Sequence, residues 1–215
     1  MMLGARTGAW AKSGSPTPAA YGGLRFTAEA DNSSVQLTAV GSAPAVTLIK
    51  SFDGVNWEDY TVGEVIELPS IGDSIYIAAG ESGNNTFGSS SSDYHAFVIN
   101  GLVAASGDIT SLRSFDLEQT TLANSCYRNM FSGCTGLTSA PELPATTLAP
   151  NCYYSMFKGC TNLSLIKVHF TAWRAQTTNW VSEVSRTGTI YKPTALPEEY
   201  GTSKIPTGWA VVNID

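Results

Sequence analysis

The sequence predicts a mainly β protein, α+β in detail: an antiparallel β-sandwich, then a short repeat solenoid with a C-terminal cap. Three observations carry this. Charged residues make up only 14% of the 215, in a chain rich in Gly, Ser, Thr, Asn and Pro, which suits extracellular or virion β-rich proteins better than helical cytosolic enzymes. Short alternating apolar runs succeed one another between residues 24 and 105, separated by turn residues at regular intervals. Beyond residue 112 a block repeats with a constant offset of 26 residues, and a fixed period in the twenties is a solenoid signature.

Residues 1–21 read as an N-terminal arm. Gly4 and Arg6 interrupt any apolar core, so no secretory signal is expected there. Residues 13–21 are small and proline-bearing, as linkers are. No run elsewhere approaches the roughly 18 apolar residues of a membrane-spanning helix.

Residues 22–111 are assigned to the sandwich. Strands are expected at 24–28, 35–40, 45–49, 57–62, 65–68, 74–78 and 96–99, with Asp31-Asn32, Gly41-Ser42, Asp53-Gly54 and Gly72-Asp73 as turns between them. About seven short strands so punctuated argue for an Ig-like sandwich in the loose sense. The loop "GESGNNTFGSSSSDYH" is the one long interruption. It is polar, and loops of this kind often carry contacts.

Residues 112–172 form the expected solenoid. Cys126, Met130, Phe131, Cys134 and Leu137 return as Cys152, Met156, Phe157, Cys160 and Leu163. Cys126, Met130, Cys134 and Leu137 would make one apolar stripe on a helix, which Gly133 would end in a left-handed conformation. "APELPATTLA" would bring the chain back as an extended segment. Residues 173–215, with Trp180, Tyr191, Tyr200 and Trp209, are expected to cap the last coil.

Few residues invite a chemical reading. The spacing Cys126-x7-Cys134 is not that of a zinc site, which uses closer pairs. His95 and His169 lie in different parts of the chain, so neither is expected to activate a cysteine. Stacked coils would set Cys126 over Cys152 and Cys134 over Cys160; reduced, buried thiols are expected, with disulfides as the alternative. "SFDGVNWEDY" has the look of an Asp-box, with Ser51, Asp53, Gly54 and Trp57, but one residue of its spacing is missing and a hairpin turn accounts for it. The neighbouring acids Glu58-Asp59, Asp116-Glu118 and Glu198-Glu199 read as solvated, not as a glycosidase pair. The net charge is −6 with no basic run, which argues against nucleic acid as a partner. No cofactor is called for. Contact candidates remain: Tyr127, Tyr153 and Tyr154, which would lie off the helix stripe, and Asn84, Asn85 and Phe87 in the long loop; ordinary surface or partial packing is the reading favoured for each, with contact as the alternative.

The doublet "CYRNMFSGCTGLTSAPELPATTLA" and "CYYSMFKGCTNL" resembles the BspA-like branch of leucine-rich repeats, whose units centre on MF-x-GC-x-x-L. "FTAEADNSSVQLTAVGSAPAVTLIKSFDGVNWEDYTVG" looks like the sandwich that often precedes such repeats, and "TTNWVSEVSRTGTIYKPTALPEEYGTSKIPTGWAVV" like the segment that closes them. Chains of this make-up are similar to surface adhesins of gut Bacteroidetes and to virion proteins of their phages. The resemblance implies recognition or particle structure, not catalysis. It leads us to expect a phage virion component, a capsid decoration or fibre-like protein. Arg6, Trp10 and Lys12 of the arm would anchor it; other virion proteins or a host protein or glycan would be its partners, with homo-oligomerisation in view. The alternative is a bacterial cell-surface adhesin.

Overall fold

Each of the seven runs expected between residues 24 and 99 forms a strand. In the computed structural model, which describes residues 22–117 and 121–214, they are β1 (Arg25–Ala28), β2 (Ser33–Val40), β3 (Leu48–Ser51), β4 (Glu58–Tyr60), β5 (Val65–Leu68), β6 (Ser74–Ala79) and β7 (Tyr94–Asn100). Alternation sets the faces: Phe26, Val35, Leu37, Ile66, Ile75, Ile77, Phe97 and Ile99 point inward and are buried. The strands divide between two antiparallel groups, β1-β6-β3-β4 and β5-β2-β7. Phe26 of the first group meets Phe97 of the second with ring centroids 4.9 Å apart, so the two share one core.

The sheet does not stop there. β8 (Val103–Ser106) lies antiparallel to β1 on one side and parallel to β9 (Leu137–Leu143) on the other. β10 (Leu165–Val168), β11 (Thr189–Pro193) and β12 (Ala210–Ile214) follow, each parallel to the strand before it. The result is one nine-stranded sheet, β12-β11-β10-β9-β8-β1-β6-β3-β4. It crosses the 111/112 boundary drawn from sequence without a break, and the buried apolar residues on both sides of it form one cluster. Residues 139–214 stack as a solenoid, so the segment expected as a cap supplies two further coil strands.

The expected repeat helices do not form. The only helical pieces among the described residues are two single 3-10 turns, Ile109–Leu112 and Ala175–Thr177. Each repeat instead crosses the core as a run of four-residue turns. Ser125, Asn129 and Gly133 have φ of 56, 57 and 80°, and Asn151, Ser155 and Gly159 repeat this at 56, 51 and 77°. Asn and Gly reach the left-handed region at least cost, so their recurrence every fourth residue prevents a helix.

Hydrogen bonding follows the same rhythm. Cys126, Arg128, Met130, Ser132 and Cys134 donate backbone N–H back three residues within the turn run. The residues between them reach the next coil: Tyr127 N–H to the Cys152 carbonyl, Asn129 to Tyr154, Phe131 to Met156 and Gly133 to Lys158. The second run does the same, from Tyr153, Ser155, Phe157 and Gly159 to Gln176, Thr178, Trp180 and Ser182. The step between coils thereby shortens by two residues at the third coil, with Asn179 and Glu183 as its left-handed positions.

The first coil is built from the long polar loop. Phe87 N–H donates to the Cys126 carbonyl and Phe97 N–H to that of Met130, just as Tyr127 and Phe131 donate to the coil after them. Residues 87–97 therefore stand where a repeat would, with extra residues between the two contact points. At the far end Leu196, Ile205 and Trp209 are buried and close the core.

Candidate functional site

The conspicuous chemistry of this chain lies in the doublet, and the fold turns it inward. Cys126, Met130, Phe131, Cys134 and Leu137 are buried, as are Cys152, Met156, Phe157, Cys160 and Leu163. All four cysteines are free thiols. The Cys134 Sγ donates to the Phe97 carbonyl at 3.0 Å, and the Cys160 Sγ to the Phe131 carbonyl at 2.9 Å, so each thiol tethers its coil to the one before. Burial pushes the thiols up, to about 11 for Cys126 and about 12 for Cys134 and Cys152, and Cys160 moves the same way. A thiol held so firmly protonated is a poor nucleophile and a poor metal ligand.

Two aromatic ladders run beside the thiols. Phe97, Phe131 and Phe157 stack at 5.1 and 5.5 Å, and Trp180 lies 6.1 Å further on. Phe87, Tyr127 and Tyr153 stack at 6.2 and 6.3 Å and end on Phe170. This corrects the reading of Tyr127 and Tyr153 as contact residues, because both are fully buried. A helix would turn residue 127 away from the stripe set by residue 126. A four-residue turn buries both members of an adjacent pair.

The other contact candidates divide in the same way. Phe87 heads a ladder. Asn84 is buried as a clamp, donating Nδ2–H to the Thr47 and Leu112 carbonyls at 3.0 and 2.7 Å and accepting from Thr47 N–H at 2.8 Å. Asn85 is exposed, and Tyr154 is half-buried with the Arg128 guanidinium 3.9 Å above its ring. Arg6, Trp10 and Lys12 lie outside the described residues.

The acids are mostly spoken for. The Asp53 carboxylate accepts from the N–H groups of Val55 and Asn56, the Asn56 side chain and the Ser51 hydroxyl, and these bonds hold it well below the usual carboxylate range. Ser51 Oγ in turn accepts from Gly54 N–H, which completes a structural turn. Glu58 and Glu64 flank the buried Lys50, Glu199 pairs with Lys204, and Asp116 accepts from Ser114. Glu118 lies outside the described residues.

Sequence reasoning missed one polar cluster. Glu142, at the end of β9, takes the Lys167 ammonium at 2.8 Å and His169 Nε2 at 2.6 Å on one carboxylate oxygen. Burial opposes ionisation of Glu142, but the hydrogen bonds from Lys167 and His169 outweigh it and hold the carboxyl low. Asp108 bridges to Glu142 along the sheet, and burial pushes its carboxyl up. The Asp108 oxygen is already committed, accepting Thr110 N–H at 2.7 Å and the Thr110 hydroxyl to start a 3-10 turn. The cluster joins three neighbouring coils. The register that creates it, with Lys167 opposite Glu142, was hidden by a bulge between β9 and β10.

No three His, Cys, Asp or Glu residues stand together as a metal site among the described residues. Nor is any helix there long and apolar enough to cross a membrane. Comparison with protein-family models, with curated proteins and with solved structures returned no match.

Proposed function

We propose that this chain is an Ig-like sandwich leading into a short BspA-type leucine-rich-repeat solenoid. On this reading it serves as a non-enzymatic display module on a phage virion, as a capsid decoration or fibre-like protein. The observation that carries the reading is the use made of the doublet. The MF-x-GC block resembles the BspA-like repeat, and its thiols and rings are spent on joining one coil to the next. The four thiols lie in the core, and Asp53, Glu58, Asp116 and Glu199 are tied into turns or pairs, which favours the outer faces for recognition. The solenoid supplies rigidity, since each coil buries its faces on its neighbours.

Mass spectrometry of purified particles, with immunogold electron microscopy, tests the assignment. Copies of the chain on particles are expected. Its absence from particles, with labelling of the surface of phage-free bacteria, would overturn the virion reading in favour of a cell-surface adhesin. Enzymatic action is tested separately: alanine at Glu58, Asp59, Glu198 and Glu199 is expected to change no glycan-cleaving activity of the preparation.

A further inference from the structure

The loops at one end of the sandwich carry large apolar side chains into solvent on turns that are firmly tied. Phe52 and Val55 are 56% and 51% exposed on the turn organised by Asp53. Ile71 is 66% exposed, and its own N–H donates to Asp31 Oδ1 at 3.1 Å, while Asp73 takes the N–H of Ser70 at 2.8 Å. Leu102 is 38% exposed, and its carbonyl accepts from Glu29 N–H at 2.8 Å.

These tips belong together. β3 and β6 are neighbours, as are β6 and β1 and then β1 and β8, so the loops after β3, before β6, after β1 and before β8 adjoin in that order. The backbone-to-Asp31 and Glu29-to-Leu102 bonds fasten three of them to one another. Folding gives no reason to expose Phe52 and Ile71, because neither contributes to the core from there. Rigid turns presenting apolar side chains have little ordering entropy left to lose on binding, as binding hot spots require.

Charge narrows the partner. Residues 29–32, 52–57, 69–73 and 100–102 include Glu29, Asp31, Asp53 and Asp73 and no lysine or arginine. The patch is apolar with an acidic rim, so its partner carries an apolar group flanked by cations. Residues 1–21 have that chemistry: Trp10 lies between Arg6 and Lys12, and the segment holds no acid. The described chain begins at the opposite end of β1, where Gly23 bridges to Asp108 beyond the close of β8. A copy stacked head to tail would set its loop end beside that start, and 21 residues can span at most roughly 70 Å.

We propose that the loop end formed by Phe52, Val55, Ile71 and Leu102 is the docking site for the N-terminal segment of a neighbouring copy, which joins copies head to tail. Such a contact is heterologous, so it builds a ring or a filament rather than a two-fold dimer. The inference concerns the purified chain and does not depend on the virion assignment.

Sedimentation velocity on the full chain at low ionic strength, from micromolar concentration upward, provides the test. Association that rises with concentration and weakens with added salt is expected. The double variant Phe52→Asp/Ile71→Asp should weaken it at least about ten-fold, and so should Arg6→Glu/Lys12→Glu. Adding Glu29→Lys to the arm reversal should recover part of the loss. Thermal midpoints matching the parent chain would show that both double variants still fold. A chain that stays monomeric throughout overturns the proposal. So does association that survives reversal of the arm charges, because the loop end would then be meeting a different surface.

Discussion

Cys134 and Cys160 show how a residue reads differently alone and in place. Alone, a cysteine offers a nucleophile, a ligand or half a disulfide. Here it donates a hydrogen bond to the previous coil in a core that excludes water. A thiol reagent at pH 8 should therefore modify none of the four cysteines in the native chain and all four after unfolding. Reaction of even one in the native state would show that a coil opens. The same burial fixes a pH response. Above about pH 9, the ordinary thiol value, the unfolded chain releases protons that the folded chain keeps. Stability is thus undiminished below that pH and declines as pH rises towards the folded values, at most about 1.4 kcal/mol per pH unit for each thiol. Urea midpoints at pH 8 and pH 10.5 measure the loss, and Cys134→Ala should reduce it. His95 acts at the other side of neutrality. Burial holds its imidazole below the ordinary value of 6.5, so its contribution is present above that pH and is lost as pH falls below it.

The turn run is the element whose sequence pattern also fits a helix. Cys126, Met130 and Cys134 are spaced by four, close enough to 3.6 that a helix accounts for the apolar pattern. What separates the two is the residue before each core cysteine or methionine: Asn129, Gly133, Asn151 and Gly159 all tolerate the left-handed region, and no helix places such residues at every fourth position. That signal was present in the sequence, but Ser125 and Ser155 adopt the same conformation without announcing it. The strands were easier, because alternation over β1, β2 and β7 matches their burial. The role of Phe87 and Phe97 as a first coil was not legible, since the residues between them break the period. Two glycines test the geometry. Gly133 sits at φ +80° in open space, so Gly133→Ala should cost about 1 kcal/mol in strain alone. At Gly136 a Cβ would lie 1.9 Å from the Gly101 carbonyl oxygen, so Gly136→Ala must displace the entry to β9 and should cost at least about 3 kcal/mol. Equal losses in chemical denaturation would contradict this account. Phe157→Ala, in the middle of its ladder, should cost about 3–5 kcal/mol.

Across the whole molecule, one sheet and one core join what the sequence separates into sandwich, solenoid and cap. Calorimetry should accordingly show a single unfolding transition, with calorimetric and van't Hoff enthalpies in agreement. Two resolved transitions would show that the segments on either side of 111/112 unfold separately. A fragment of residues 22–111 is expected to fail to fold stably, because it removes the acceptors for Phe87 and Phe97 and exposes the β8 edge along with both ladder heads.

The inter-coil bonds also make length a free variable. Every arriving N–H meets a carbonyl at the same place on the next coil, whether that coil is a repeat or the shortened turn run that follows it. The closing segment thus recognises a generic coil face, and residues 87–97 offer the same face at the other end. A duplicated 26-residue unit could enter between them with both ends unaltered, lengthening the stack by one strand spacing of about 4.8 Å. By gene duplication or unequal crossing-over, a lineage could lengthen the stack of coils without redesigning the segments that close it. The chain is, in that sense, a ruler whose graduations can be added one at a time.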